Sequence, residues 1–526
     1  MSSANEKHEK TEVTFTDLEL VESSTQDQKS QFVVDERLKA RVVRKIDLAL
    51  LPILCTIYLL SYLDRSNIGN AKLAEQRNST FRKLPSHWQG SSKASTSLKA
   101  HINVLFYFLV VFHLQRPCCI SELYQFYYMS QFELPSNIVL RRWKPSLWIA
   151  IIMIGWGLVA ALMSLLTSFA GLAVCRFLLG AFEAGLFPGI IYYMSLWYPK
   201  REQARRLGFF WSFGSLSGAF GGLLAFGIQQ IPADKLASWQ WLFLIEGLPT
   251  VILAIAVVFI LPDSPEKAKF FTEEERDYAI RRLATDAGVA HDNSWSWGQV
   301  WSVFTDWKTY AYMIIYLSGT AALQGVTLFL PSIINGLGKW SKVTSQLLTT
   351  PPYFAAFLGT LALGWSSDRF LERAFHMVAN NIFTMAGFLI LMFVDSALVG
   401  VTYFGAIIVT VGVYANVAVK ITWFNNNYGG LTRRAVASAA IVSVGSIGGA
   451  IGGQIYYDAP KYFNGHAIAI SCMAAQTVFV VILRFVFAYE NSRRERLTER
   501  EKAAEIDKYG GTELAGDRHP DFRYTL

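Results

Sequence analysis

Apolar segments of about bilayer length recur along the whole chain, and no other feature of the sequence restricts the fold as strongly. A hydrocarbon core about 30 Å thick is crossed by a helix of about 20 mostly apolar residues. Segments of this kind, which we number spans 1 to 12, lie near residues 47–66, 103–129, 147–167, 170–197, 206–230, 240–261, 309–334, 345–366, 376–395, 398–424, 435–457 and 466–489. We therefore predict an all-α membrane protein with twelve transmembrane helices in two six-helix halves.

The overall composition excludes a soluble globular protein. Of the 526 residues, 52% are hydrophobic and only 17% are charged, whereas soluble domains carry about 25% charged residues. The formal charge of +8 indicates anchoring at the cytoplasmic membrane surface and not nucleic-acid binding, because the basic residues lie between apolar segments. Five cysteines, of which Cys118 and Cys119 are adjacent, favour neither a disulfide framework nor a zinc site.

The sequence shows no motif for enzymatic chemistry. It lacks a P-loop, which argues against transport driven by ATP. It also lacks a metal-ligand pattern and a paired nucleophile and base at one membrane depth. We expect no enzyme activity, no cofactor and no metal. The expected partners are a small solute, protons and the lipid bilayer, and the expected assembly is a monomer.

Basic residues cluster at the ends of alternate spans and orient the chain. This set comprises Arg41, Arg44, Lys45, Arg141, Arg142, Lys144, Lys200, Arg201, Arg205, Arg206, Lys267, Lys269, Arg281, Arg282, Arg369, Arg373, Arg433, Arg434, Arg493, Arg494 and Arg496. The loops on the opposite side hold few basic residues outside the stretch 75–131. Because basic residues stay on the cytoplasmic side, we expect both termini in the cytoplasm. We expect the protein in the plasma membrane, with a vacuolar or other internal membrane as the alternative.

The two halves repeat a glycine pattern. The run Gly214 to Gly222 in span 5 corresponds to the run Gly445 to Gly453 in span 11. Glycines at such spacing let helices approach closely, and repeated halves are typical of transporters that rock around a central site. The expected units are a disordered tail (1–45), an N-terminal half (46–261), a central loop (262–308), a C-terminal half (309–490) and a C-terminal tail (491–526).

An ordered series of motifs spans most of the chain. The motifs are Arg44-Lys-Ile-Asp47, Tyr62-Leu-Asp-Arg-Ser-Asn-Ile-Gly-Asn-Ala71, Phe132-Glu-Leu-Pro-Ser-Asn137, Arg176-Phe-Leu-Leu-Gly180 through Pro188, Trp241-Leu-Phe-Leu-Ile-Glu-Gly247, Leu261-Pro-Asp-Ser-Pro265, Thr272-Glu-Glu-Glu-Arg276, Asn427 with Thr432-Arg-Arg434, and Asp458-Ala-Pro-Lys-Tyr462 with Gly465-His466. In this series the chain resembles the major facilitator superfamily, and within it the fungal anion:cation symporters, which include allantoate, nicotinate, pantothenate and biotin permeases. The resemblance implies proton-coupled symport of a small organic anion, such as a carboxylated vitamin or ureide.

The loop signature of that superfamily, Gly-x-x-x-Asp-Arg, follows span 8 as Gly364, Asp368 and Arg369. The resemblance implies that these residues form a charge latch that biases the inward and outward states. After span 2 the signature is degenerate. Arg141 and Arg142 remain there, but Leu140 stands at the position of the aspartate.

Ionisable residues inside the apolar spans are the candidates for proton coupling. Arg176 and Glu183 lie seven residues apart in span 4, so they project from nearly the same side of a helix. A charge at bilayer depth costs about 3 kcal/mol or more and usually marks an ion or substrate path. Similar symporters use acidic positions in spans 1 and 4, which correspond here to Asp64 and Glu183. We predict that these two carboxylates carry protons and that Arg176 senses the protonation of Glu183; the alternative is an ion-pair network that holds the fold closed.

Polar residues elsewhere in the spans are candidates for the substrate site. Arg65 is predicted to bind a substrate carboxylate, since its guanidinium matches two oxygens, and Asn67 to orient it. Further predicted ligands are Gln324, Lys420 and Asn427. For Lys420 the alternative is that its stem reaches toward the membrane surface.

Glu246 in span 6 also matches the family pattern. We interpret it as a helix-packing residue.

Residues 75–131 do not fit the pattern. The interval from Asn70 to Pro135 is roughly thirty residues longer than one loop and one span require, and Pro117 interrupts its apolar part. We interpret this stretch as including mistranslated sequence, such as a retained intron or a frameshift, with family sequence resuming near Phe132. The alternative is a genuine extracellular insertion.

These features together predict a secondary transporter that imports a small organic anion with protons. Two alternatives remain at this point: a nutrient sensor on a transporter scaffold, and a non-functional product if residues 75–131 are translated as written. The identity of the substrate is beyond the sequence, because specificity depends on a few polar contacts in a cavity.

Overall fold

The fold was analysed in a computed structural model. It describes residues 36–75, 132–133, 135–136, 139–140, 143–166, 169–228, 230–231, 236–287, 297–338, 340–395, 397–429, 431–458, 461–508 and 516–526. Every regular element in these ranges is helical. Predictions for residues 1–35 and 76–131, including span 2 and the anomalous stretch, fall outside the described residues.

Sixteen α-helices form the described architecture. They are α1 (Glu36–Glu75), α2 (Pro145–Leu162), α3 (Phe169–Glu183), α4 (Leu186–Ser195), α5 (Lys200–Ile228), α6 (Ser238–Ile260), α7 (Glu273–Ala287), α8 (Trp297–Phe304), α9 (Trp307–Leu337), α10 (Lys342–Leu347), α11 (Thr350–Phe370), α12 (Ala374–Phe393), α13 (Val399–Asn426), α14 (Leu431–Gly452), α15 (Phe463–Glu495) and α16 (Glu499–Lys508).

Nine helices in the described part of the chain are long and apolar enough to cross a membrane, namely α1, α2, α5, α6, α9, α11, α12, α13 and α15. They correspond to spans 1, 3, 5 to 10 and 12. Span 11 forms α14, whose apolar part, Val436–Gly452, is shorter. Span 4 was predicted as one helix, but it is divided into α3 and α4. The chain is thus an all-helical, multi-pass membrane protein, and the count of twelve spans stays a prediction.

The packing of the helices repeats between the two halves. In the N-terminal half α1 packs against α5 and α2 against α6, and in the C-terminal half α9 packs against α14 and α12 against α15. If spans 1 to 6 correspond in order to spans 7 to 12, the pair α1 and α5 is equivalent to α9 and α14, and the pair α2 and α6 is equivalent to α12 and α15. The halves contact each other through α5 with α11 and through α1 with α9.

Glycines of span 11 permit the tight contact between α14 and α9. A Cβ atom on Gly448 would meet the carbonyl of Leu317, and one on Gly452 would meet the carbonyl of Ala321. Both obstacles are backbone atoms that cannot rotate away. The glycine run therefore lets the two helices pack backbone against backbone, as small residues do in membrane proteins.

The predicted central loop is shared between the two halves. Its first part forms α7, which is attached to the N-terminal half by an ion pair of 2.6 Å between Lys45 and Glu275 and by one of 3.4 Å between Arg282 and Glu202. Its last part forms α8, which packs against α14 and α9 of the C-terminal half.

The C-terminal tail packs against the protein more closely than its polar composition suggests. Residues 516–526, here named the C-terminal strap, contact four helices of the C-terminal half. Arg494 of α15 donates to the carbonyls of Asp517, His519 and Phe522 at 2.9 to 3.1 Å. Asp517 is fully buried and forms ion pairs of 2.9 Å with Lys308 and Arg433. The strap therefore joins α9, α14 and α15.

Two further contacts fix the end of the strap. The ring of Tyr524 stacks on Phe487 of α15 with 4.6 Å between centroids. The amide of Thr525 donates to Asn427 at 2.7 Å, directly after α13. The strap thus also reaches the fourth helix, α13.

Candidate functional site

The break in span 4 falls directly after Glu183. Helix α3 ends at Glu183 and α4 begins at Leu186. Gly185 lies in the break, and the hydroxyl of Ser136 stands where a Cβ atom on this glycine would be. Ser136 is held in turn by the indole of Trp148, which donates to its hydroxyl at 3.1 Å. Interrupted transmembrane helices often form the binding sites of transporters, and this break places a carboxylate at a helix end.

The carboxylates predicted to carry protons are buried between spans 1 and 4. Glu183 and Arg176 have no solvent-exposed surface, and Asp64 is 3% exposed. The hydroxyl of Ser61 in α1 donates to Glu183 at 3.0 Å, so the two spans meet here. Asp64 follows Ser61 by three residues and therefore lies on the same face of α1.

A third buried carboxylate belongs to Glu246 of α6, which packs against α1. This side chain is 2% exposed. Neither of its oxygens has a hydrogen-bond partner among the described residues, and its charge interacts with that of Asp64. From the sequence we interpreted Glu246 as a packing residue, and we did not expect its carboxylate to lack hydrogen-bond donors. The signal in the sequence was a single acidic residue in a segment that is otherwise apolar.

In the C-terminal half, Lys420 is buried in α13 with 2% exposure. Its ammonium lies 4.7 Å from the centroid of the Tyr316 ring. Among the described residues it has no carboxylate within ion-pair distance and no hydrogen-bond acceptor.

An amide without partners lies beside this lysine. Gln476 of α15 is fully buried, and neither atom of its amide has a partner among the described residues. The ammonium of Lys420 and the Gln476 oxygen lie 2.5 and 2.7 Å from the point where a Cβ atom on Gly319 would stand. Sequence reasoning missed Gln476, although a lone amide inside an apolar span was a signal. These three residues form what we name the lysine pocket.

The lysine pocket faces the N-terminal half through tyrosines. Tyr316 interacts electrostatically with Tyr62 of α1 and with Glu133. A second tyrosine, Tyr414 of α13, also interacts with Tyr62, and its hydroxyl lies 2.8 Å from that of Thr327. Polar groups of both halves therefore meet where α1 and α9 pack together.

The family of the chain follows from a direct comparison. A model described as Major Facilitator Superfamily matches residues 126–453. The chain belongs to the major facilitator superfamily (MFS). Members of this family are transporters and not enzymes, and the helical fold with apolar spans agrees with a multi-pass membrane transporter.

Curated relatives are fungal transporters. The MFS transporter prlL of Fungal sp. (strain NRRL 50135) is 32% identical over 94% of this chain and 95% of its own length. An uncharacterized transporter of Schizosaccharomyces pombe, C11D3.18C, is 31% identical over 94% of this chain and 91% of its own. The high-affinity nicotinic acid transporter of Saccharomyces cerevisiae is 29% identical over 99% of this chain and 91% of its own. This chain is thus an MFS transporter of the fungal type.

Solved structures show the same fold at low identity. A bacterial homolog of the human lysosomal transporter Spinster, in an inward-facing and occupied conformation, superposes with a TM-score of 0.51 at 15% identity and covers 82% of this chain and 94% of its own. The E. coli fucose:proton symporter FucP gives a TM-score of 0.50 at 13% identity, covering 82% of this chain and 98% of its own.

The MFS loop signature forms the C-terminal end of α11. Asp368 forms an ion pair of 2.5 Å with Arg373, and Arg373 also donates to Ser367 at 3.0 Å. The Arg369 guanidinium lies 6.0 Å from the Trp365 ring centroid, and Gly364 has no neighbour within 4 Å of its Cβ position. The structure thus pairs Asp368 with an arginine outside the signature. Arg141 and Arg142 lie outside the described residues.

The other predicted ligands of this MFS transporter differ in their surroundings. Gln324 is buried in α9 beside Gly452 of α14. Asn427 donates to the Tyr312 hydroxyl at 3.0 Å and accepts a hydrogen bond from the strap. These contacts connect the end of α13 with α9 and with the strap. Arg65 and Asn67 lie on α1, and their side chains fall outside the described part of the structure. The ligand roles of these four residues stay predictions.

Proposed function

We propose that this MFS transporter is a symporter that imports a small organic anion, such as a carboxylated vitamin or ureide, together with protons across the plasma membrane. The observation that carries the proposal is the lysine pocket. Lys420 is a buried amine that has no anionic partner among the described residues, so an anion bound beside it would stabilise its charged form.

A buried charge needs compensation. Removal of an ammonium from water costs several kcal/mol, which only an opposite charge or hydrogen bonds at short range can offset. A substrate carboxylate bound to Lys420 supplies that charge. Gln476 offers both a donor and an acceptor, so it suits a polar group next to the carboxylate.

Coupling to protons follows from the charge of the substrate. Import of one negative charge against a membrane potential of 100 mV costs about 2.3 kcal/mol. A proton that moves with the anion cancels this cost. The buried carboxylates of Glu183 and Asp64 are the residues proposed to bind it, with Arg176 in the same span as the sensor of their state.

The comparison with relatives supports the proposed class of substrate. One relative is named a high-affinity nicotinic acid transporter, and nicotinic acid is a small aromatic carboxylate. Both termini are proposed to lie in the cytoplasm, and the signature around Asp368 is proposed to act as the latch between the two conformations.

Uptake of labelled nicotinate in a permease-deficient fungal host tests the proposal, with unlabelled carboxylates and ureides as competitors. We expect competition by small carboxylates, faster uptake at acidic external pH and loss of accumulation with a protonophore. Uptake that is insensitive to the pH gradient would exclude symport. Competition by neutral or cationic solutes but by no carboxylate would exclude an organic anion as the substrate. A sensor would bind the solute without moving it.

The proposal of mistranslated sequence within residues 75–131 has a separate test. The family match begins at residue 126, near Phe132, where family sequence was expected to resume. We expect the spliced transcript to lack part of this stretch. An uninterrupted reading frame that encodes all of it would establish a genuine insertion.

A further inference from the structure

Glu246 is a buried carboxylate of α6 in the described N-terminal half. Both of its oxygens are buried and have no donor among the described residues. An ionised carboxylate is stable inside a protein when donors or cations replace the lost water. Since Glu246 has none of these in the described part of the chain, its neutral, protonated form is the one that fits its surroundings.

The groups that face Glu246 strengthen this conclusion. Among the described elements, those that pack most extensively against α6 are α1, α2, α5 and the short 3-10 turn Met163–Leu165. The sequences of α2 and of the turn contain no titratable residue, and the charged residues of α5 lie in its first two turns, from Lys200 to Arg206. On α1 the group that interacts with Glu246 is Asp64, and this charge is negative.

Two carboxylates that interact in a buried site cannot both ionise easily, so the pair retains one proton. Asp64 and Glu246 lie on neighbouring helices of the same half, so a conformational change between halves alters their access to water but keeps them together. This is the arrangement that a carrier of one proton requires.

We propose that Glu246 and Asp64 share one transported proton, with Glu246 as a proton-binding residue of the symport cycle. The pair takes up the proton from water on the outer side, as an O–H bond on one carboxyl group, and returns it to water on the inner side. This inference rests on the proposed symport and adds a residue in span 6 to a mechanism assigned to spans 1 and 4.

Infrared difference spectroscopy on purified protein in phosphatidylcholine vesicles tests the proton site without any substrate. A protonated carboxyl group has a C=O stretching band separate from the bands of carboxylates. We expect the wild-type protein to show such a band that disappears at alkaline pH and E246Q to lack it. D64N should still show the band, but the band should disappear at a lower pH than in the wild type, because the negative charge of Asp64 no longer opposes ionisation of Glu246. T250V, a buried change one turn along α6, is the matched control and should resemble the wild type.

Transport measurements provide a second test of the role of Glu246. In E246Q we expect exchange of labelled nicotinate across vesicles to persist and its dependence on pH to flatten, while accumulation driven by a pH gradient is lost. If E246Q does not fold, E246D replaces it and should keep the infrared band with an altered pH profile. A band of wild-type size in E246Q, or an unaltered band and pH profile in E246D, would overturn the inference. Neither spectroscopic result depends on nicotinate, so failure of the proposed function would show separately, as wild-type protein that moves no proton with any carboxylate.

Discussion

Asp517 and Arg433 form a buried ion pair of 2.9 Å between the C-terminal strap and the first turn of α14. Lys308 of α9 contacts the same carboxylate at 2.9 Å. The side chain of Asp517 therefore joins α9 and α14. Because Asp517 is fully buried, loss of its charge leaves Lys308 and Arg433 with one shared carboxylate, that of Asp306, at 3.4 and 3.2 Å.

The substitution D517N should destabilise the C-terminal half. Removal of one partner from a buried ion pair costs about 3–5 kcal/mol, so we expect a clearly lower thermal unfolding temperature of the purified protein in detergent. D521N is the matched control, because Asp521 is exposed and its contact with Lys502 is 3.4 Å long. Equal unfolding temperatures of D517N and D521N would show that the strap adds no stability.

The pH dependence of the strap follows from the same residue. Burial alone would raise the pKa of Asp517, but the nearby charges of Lys308 and Arg433 outweigh it and hold the pKa below its usual value. A carboxylate whose pKa is lowered by folding stabilises the folded state at pH values above its pKa in the unfolded chain. This stabilisation is lost as the pH falls through its pKa in the folded protein. We expect slow hydrogen exchange in residues 516–526 to persist from pH 7 to pH 5. Rapid exchange already at pH 5 would contradict this.

Substitutions in the lysine pocket should weaken substrate binding. Hydrogen bonds to charged groups contribute about 1.5–3 kcal/mol, so K420M should raise the KM for uptake about 10- to 100-fold. G319A should act in the same direction, because a Cβ atom there would meet the Lys420 ammonium at 2.5 Å. G400A, which has no neighbour within 4 Å, is the control for both. An unchanged KM in K420M would remove this lysine from the substrate site.

Replacement of Glu183 separates proton coupling from movement of the substrate. We expect E183Q to lose accumulation driven by a pH gradient while it retains exchange, because the amide cannot release a proton. S61A removes the hydroxyl that bonds to Glu183 at 3.0 Å and should alter the pH dependence without abolishing accumulation. Full accumulation in E183Q would exclude Glu183 from coupling.

The pair Asp368 and Arg373 should influence the rate of the conformational change more than the stability. Asp368 is about 40% exposed, and pairs of this kind contribute about 1 kcal/mol or less. In D368N we therefore expect up to about a fivefold change in kcat for uptake with little change in KM or unfolding temperature. D395N, at an exposed position before α13, provides the control. A change in KM alone would place Asp368 in binding and not in the latch.

Much of the fold follows from hydropathy alone, since each predicted span among the described residues coincides with one or two helices, although α1 (Glu36–Glu75) is longer than span 1 (47–66). The break in span 4 was not predicted, because Gly185 lies in an apolar run and its close contact with Ser136 depends on another helix. The strap was not predicted either. Its sequence is polar, and its burial depends on cations that lie far away in the chain, such as Lys308 and Arg433.

Some residues of the candidate site could also be predicted from the sequence, but their contacts could not. Ionic residues within apolar spans are conspicuous, so Lys420, Glu183 and Asp64 could be selected from the sequence. Which of them lack partners depends on packing that no pattern encodes. Gln476 becomes notable because Gly319 and Lys420 lie close to it in space, and Glu246 because none of the described residues donates a hydrogen bond to it.

The division of the central loop determines how far the two halves can separate. Helix α7 is attached to the N-terminal half and α8 to the C-terminal half, and the chain between these two helices is residues 288–296. Even fully extended, the ten Cα–Cα steps from residue 287 to residue 297 cover about 36 Å at most. Shortening this segment by a few residues is a way to restrict the amplitude of rocking without touching any residue of the transport path.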